Sequence, residues 1–100
     1  MNITITVRHT DINPQTRQYI EEKVSRLKKY FNNILHVDVI IDEEKFLQKV
    51  EILVKSPIFD ITAIESAENV RAAFDKAFHV AEKSIRREKE RISDAKKSLR

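Results

Sequence analysis

The sequence predicts an α+β fold of order βαβββα: a four-stranded mixed sheet, two helices packed on one face, and a long C-terminal helix that overhangs. Three observations predict it. Four short stretches alternate apolar with polar residues, the period of a half-buried strand. Two longer stretches repeat apolar residues at three- and four-residue spacing, the stripe of an amphipathic helix. Caps, prolines and polar turns separate them.

Ile3, Ile5 and Val7 alternate with Asn2, Thr4, Thr6 and Arg8, which makes residues 2–8 a strand. Asn13-Pro14 opens a helix, a capping residue followed by proline at the first helical position. Thr16, Ile20, Val24, Leu27 and Phe31 form its inward stripe, so it is expected from about Pro14 to Phe31, ended by Asn32-Asn33. Leu35, Val37, Val39 and Ile41 then alternate with His36, Asp38, Ile40 and Asp42 as a second strand. A polar turn is expected over residues 42–45, and Val50, Ile52 and Val54 mark a third strand. Ser56-Pro57 turns the chain again, and Phe59, Ile61 and Ala63 give a fourth strand.

Ser66 and Asn69 lead into the last helix, with Asn69 as its cap. Val70, Ala73, Phe74, Ala77, Phe78, Ala81 and Ile85 form its stripe, after which only Ile92 and Leu99 are apolar anchors. Val70 to Ile85 spans roughly 24 Å of helix, about the width of one sheet, and the whole segment roughly 45 Å. Its second half should project past the core. A helix between strands one and two implies a parallel pair through a right-handed crossover, while short turns make the next two pairs antiparallel.

Composition removes several classes of function. One hundred residues make a single domain, 41% hydrophobic and 35% charged, with a net charge of +3. The pI is about 9.3, so the placement of positive charge matters more than its sum. There is no cysteine, hence no disulfide framework, thiol nucleophile or thiolate metal site. There is no glycine either, which argues against phosphate-cradling loops and nucleophile elbows. His9, His36 and His79 share no ligand spacing and stand beside no nucleophile, and Asp42-Glu43-Glu44 reads as a solvated turn. No catalytic residue, metal, cofactor or small-molecule substrate is expected. Residues 1–6 lack a charged leader and no run approaches a membrane span, so a soluble cytoplasmic protein without membrane contact is expected.

What remains is charge. Lys76, His79, Lys83, Arg86, Arg87 and Arg91 fall opposite the apolar stripe of the last helix, and Lys89, Lys96, Lys97 and Arg100 extend the series. Arg17, Lys23, Arg26, Lys28 and Lys29 stand on the first helix against only Glu21 and Glu22. Glu82, Glu88, Glu90 and Asp94 could turn this into an ordinary salt-bridged surface. Cations nevertheless outnumber anions on both helices, and adjacent helices would merge them into one field suited to a phosphate backbone. The open sheet face, with Thr4, Thr6, Arg8, His36, Asp38, Lys49, Glu51, Asp60 and Thr62, has no aromatic on which bases could stack. Recognition through helix surfaces is therefore expected. Tyr19 and Tyr30 flank the first helix, read as boundary packing with solvated hydroxyls or as stacking contacts to a base or ribose.

The chain resembles the ribosome hibernation-promoting factors and ribosome-associated inhibitors over residues 2–92. The resemblance rests on Ile12-Asn13-Pro14, on the run from Lys23 to Phe31, on the run from Asn69 to Asp75, and on the basic positions that follow. It implies binding to the small ribosomal subunit, in the channel of mRNA and tRNA anticodon ends. There the two helices would contact rRNA, block translation and conserve idle ribosomes in stationary phase or stress. The implied contacts are Lys23, Arg26 and Lys29 on the first helix and Lys83, Arg87, Lys89 and Arg91 on the second, with Arg86 beside them. Arg71 stands where the family usually has tyrosine. Longer members carry a further domain that pairs two ribosomes, so residues 1–100 read as a short form or as the ribosome-binding domain of a long one. Two alternatives remain: a stand-alone double-stranded-RNA module, or a protein-interaction domain whose long helix pairs with a partner helix. The second has few apolar positions after Ile85 for a heptad seam.

Overall fold

Asn13 and Asn69 start the two helices as their positions predict. The Asn13 side-chain oxygen accepts the Thr16 backbone N–H at 2.7 Å, and that of Asn69 accepts the Ala72 N–H at 2.8 Å. The computed structural model describes residues 1–98, with side chains through Asp94. Leu99, Arg100 and the side chains of Lys96 and Lys97, all assigned above to the basic rod, lie outside the described residues.

The elements are β1 (Asn2–Arg8), α1 (Pro14–Ser25), a 3₁₀ turn (Arg26–Lys29), β2 (His36–Glu44), β3 (Leu47–Lys55), β4 (Asp60–Ala67) and α2 (Val70–Ser98). The sheet order is β1-β2-β3-β4. β1 runs parallel to β2 with Ile5 opposite Val39, and β3 is antiparallel to both neighbours, with Ile52 opposite Val39 and Ala63. The inward residues of β2, β3 and β4 share one core with Ile20, Val24 and Leu27 of the first helical segment. Ala73, Phe74, Ala77, Phe78, Ala81 and Ile85 of α2 close the same core, so both helices cover one sheet face.

Four local departures have physical causes. α1 ends at Ser25 rather than Phe31, and the chain tightens into the 3₁₀ turn. There the Ser25 hydroxyl donates to the Glu22 carbonyl at 2.7 Å, a local bond that competes with the helical ladder. β2 runs on through Glu44, leaving only Lys45-Phe46 as the hairpin loop instead of a turn over residues 42–45. Gln48 donating to Glu43 at 2.8 Å and Lys49 to Glu44 at 3.1 Å hold that polar extension in the ladder. Ile34, not Leu35, fills the buried position ahead of β2, and Leu35 is 58% exposed. Phe59 lies just before β4, buried against the Phe31 ring at 5.0 Å, and β4 continues through Ala67.

The long helix leaves the body later than its stripe suggests. Ile92 still packs half-buried against the core, two turns beyond Ile85. The molecule measures 53 Å along its longest axis against 23 and 16 Å across.

Candidate nucleic-acid interface

Each helix brings its cations to the surface by a different route. On α2 the inward stripe turns Lys83, Arg87 and Arg91 to the far side and leaves Lys89 on its flank, and all four are exposed. Lys83, Arg87 and Lys89 form no ion pair with any described residue. Arg91 is bonded to Glu88 one turn before it, yet its side chain remains 70% exposed. On the first helical segment Arg26 and Lys29 are exposed within the 3₁₀ turn, at its first and last positions.

Lys23 and Arg86 are placed differently from the rest. The Lys23 ammonium sits 5.5 Å from both the Tyr19 and Phe78 ring centroids, half-buried in the seam between the helices. The Arg86 guanidinium covers the Tyr30 ring at 4.7 Å and donates to its hydroxyl at 3.3 Å. Both charges are thus committed to the seam as well as facing solvent.

The tyrosine hydroxyls are not merely solvated, which corrects the expectation for them. Tyr19 donates to Asp75 at 2.6 Å and Tyr30 to Glu82 at 2.8 Å, each bond crossing from the first helical segment to α2. Arg71 lies over the Tyr19 ring at 4.2 Å, as Arg86 lies over Tyr30. Two units of tyrosine, carboxylate and arginine therefore fasten the helices together. The hydrogen bond to Asp75, with burial second, raises the Tyr19 pKa above its ordinary value. Asp75 and Glu82 lie two helical turns apart on one face of α2, but helical spacing does not pair them with Tyr19 and Tyr30, because the 3₁₀ turn stands between the two tyrosines.

A groove of about 330 Å³ opens where the 3₁₀ turn meets the overhang of α2. Lys28 and Lys29 line one side and Lys89 the other, with Tyr30 and Phe31 between them and Ile92 opposite. Implied contacts of both helices, Lys29 and Lys89, line this common cavity. Spacing along either helix alone does not predict it, because it depends on Ile92 docking beside Phe31.

The open sheet face holds a different cluster. Thr4 donates to Asp38, and His36 Nε2 lies 2.7 Å from the same carboxylate oxygen. These bonds, the Thr4 one first, hold the Asp38 carboxyl below the usual aspartate range. Asp42 is lowered mainly by His9, 2.9 Å away. Thr4 and His36 converge on one oxygen of Asp38, so the histidine does not relay between the carboxylate and a nucleophile. Among the described residues no group of histidines and carboxylates could hold a metal ion, and no helix is long and apolar enough to cross a membrane.

Comparison with known proteins gives a consistent result. Residues 3–93 match the family described as "Sigma 54 modulation protein / S30EA ribosomal protein". A ribosome hibernation promoting factor of Pseudomonas putida is 30% identical over 91 residues, covering 91% of this chain and 89% of that protein. The structure of a ribosomal subunit interface protein from Coxiella burnetii superposes with a TM-score of 0.83 at 26% identity, covering 90% of this chain and 99% of that one. The N-terminal domain of Protein Y from Thermus thermophilus gives 0.78 at 28% identity, covering 87% and 98%.

Proposed function

This chain belongs to the Sigma 54 modulation protein / S30EA ribosomal protein family, and from that membership we propose that it is a ribosome hibernation factor of the cytoplasm. In this reading residues 3–93 form a ribosome-binding domain that occupies the mRNA and tRNA channel of the small subunit during stationary phase or stress. Lys and Arg on the two helices replace counterions along rRNA phosphates, and the bulk of the domain excludes mRNA and tRNA. Binding and steric exclusion suffice, with no bond made or broken. The family is named for ribosomal association rather than for a catalysed reaction.

The observation that carries this reading is the outer ridge of α2. Lys83 and Arg87 are exposed there without an ion pair to any described residue, and Lys89 is exposed on the flank, in the groove. Arg26 and Lys29 extend the field across the seam. A solvated, self-neutralised surface would pair these cations with Glu82, Glu88 or Glu90. Instead Glu82 accepts from Tyr30 and Glu88 pairs with Arg91.

Co-sedimentation with purified small subunits across a salt series tests it. Affinity should fall steeply with salt, and an Arg87→Glu/Arg91→Glu variant should bind more than about tenfold more weakly, with a log–log salt slope shallower by about two. Unchanged binding by that variant would remove α2 as the contact surface. A short RNA duplex that competes as well as ribosomes do would favour a general double-stranded-RNA module instead.

A further inference from the structure

We propose that the groove between the 3₁₀ turn and the overhang of α2 is a pocket for one unpaired nucleotide of an RNA strand. The nucleotide's phosphate would sit against Lys28, Lys29 and Lys89, and its base against Phe31 and Ile92. The inference rests on the reading of the chain as an RNA-binding factor and adds what the contact is made to.

Three features point there. At about 330 Å³ the groove lies at the small end of ligand sites, large enough for one ring system and too narrow for a helix face. Among the described residues its lining contains three lysines and no carboxylate, an arrangement that is self-repelling until an anion enters. Glu90 and Asp94 belong to the neighbouring surface, beyond Lys89 and Ser93. Its wall is apolar and already paid for by packing: Phe31 is held against Phe59 at 5.0 Å, and Ile92 is anchored on the core. Asn32 at the rim adds an amide that can both donate to and accept from a base edge.

A paired duplex presents phosphates but keeps its bases stacked inside, so it can satisfy the lysines and not the wall. A nucleotide swung out of a bulge or loop satisfies both at once, which is how unpaired RNA is usually read. The outer ridge of α2 would then follow the backbone while this pocket fixes the register.

The test compares three probes with the purified chain: an RNA hairpin bearing a single-nucleotide bulge, the same hairpin fully paired, and free adenosine monophosphate. The bulged hairpin should bind about tenfold tighter than the paired one, the scale of one base stacking on a side-chain platform. A fluorescent base analogue at the bulge should change emission on binding. Ile92→Ser should bring the two hairpins to within about twofold of one another, and Asn32→Ala, which removes the base-edge contact, should separately narrow the gap between them. Asn32 is exposed, so the second variant keeps the test valid if the first loosens the fold. Equal affinity for the two hairpins, with small subunits still bound, overturns the pocket and leaves the hibernation reading standing. Failure to bind small subunits or any RNA overturns both. Adenosine monophosphate binding as tightly as the bulged hairpin overturns an RNA strand as the source of the nucleotide.

Discussion

Tyr19 shows how much one hydroxyl contributes when it bridges two helices. Its ring packs edge-on to Phe74 at 6.0 Å, while its hydroxyl reaches Asp75 and its face carries Arg71. Tyr19→Phe keeps the ring and removes the bond, so stability at neutral pH should drop by about 0.5–1.5 kcal/mol. The pH dependence has a definite sign. Because the folded pKa is raised, the contribution is complete below the unfolded value of about 10 and is lost as pH rises through the folded value. Urea denaturation of both proteins from neutral to alkaline pH should therefore show the difference shrinking at the alkaline end. A difference that stayed constant with pH would mean that the hydroxyl bond contributes nothing. Arg71 gains a role from the same contact, because its guanidinium covers the Tyr19 ring.

Among the elements, the β2–β3 hairpin holds the least comfortable backbone. Lys45 and Phe46 have φ of 50° and 69°, the pattern of a type I′ turn, which favours Asn-Gly. A chain without glycine bears that strain on two ordinary side chains, and Phe46 is left 96% exposed at the tip. Replacing Lys45-Phe46 with Asn-Gly should stabilise the fold by about 1–2 kcal/mol, read as a shift of the urea midpoint with unchanged slope. An unchanged or lower midpoint would show that the tip is not strained. This loop also marks where sequence reading stops being informative. Alternation of Val37, Val39 and Ile41 against Val50, Ile52 and Val54 reveals the strands because one face is buried. Past Ile41 the residues are Asp42, Glu43 and Glu44, and nothing apolar reports that the ladder continues. Cross-strand partners hold it, and those are invisible until the register is known. The candidate site divides in the same way. Exposure of Lys83, Arg87 and Arg91 follows from the stripe opposite them, a local property. The seam partners of Tyr30 and Lys23, and the groove of Lys29 with Lys89, depend on how two segments some fifty residues apart in sequence come together.

The whole molecule is less compact than its length requires. Its Cα radius of gyration is 14.6 Å, against about 13 Å expected for a compact chain of this size. The excess comes from the end of α2, which extends past Ile85 and beyond the sheet. Solution scattering should return the extended value, and deleting the residues after Ile92 should lower it. A full-length chain that already scattered as a compact particle would mean that the rod lies against the body. Sheet order, helix placement and overhang were all legible from periodicity, because each element has a single buried face and few ways of covering it. The late departure of α2 was not, since one isoleucine among charges carries little signal until it finds its neighbour. Supported as far as Ile92, α2 is in mechanical terms a braced beam. With the tyrosine clasps at one end and Ile92 at the other, Arg87 and Arg91 are carried at a fixed offset from the sheet, so the cations meet a partner as a preset shape.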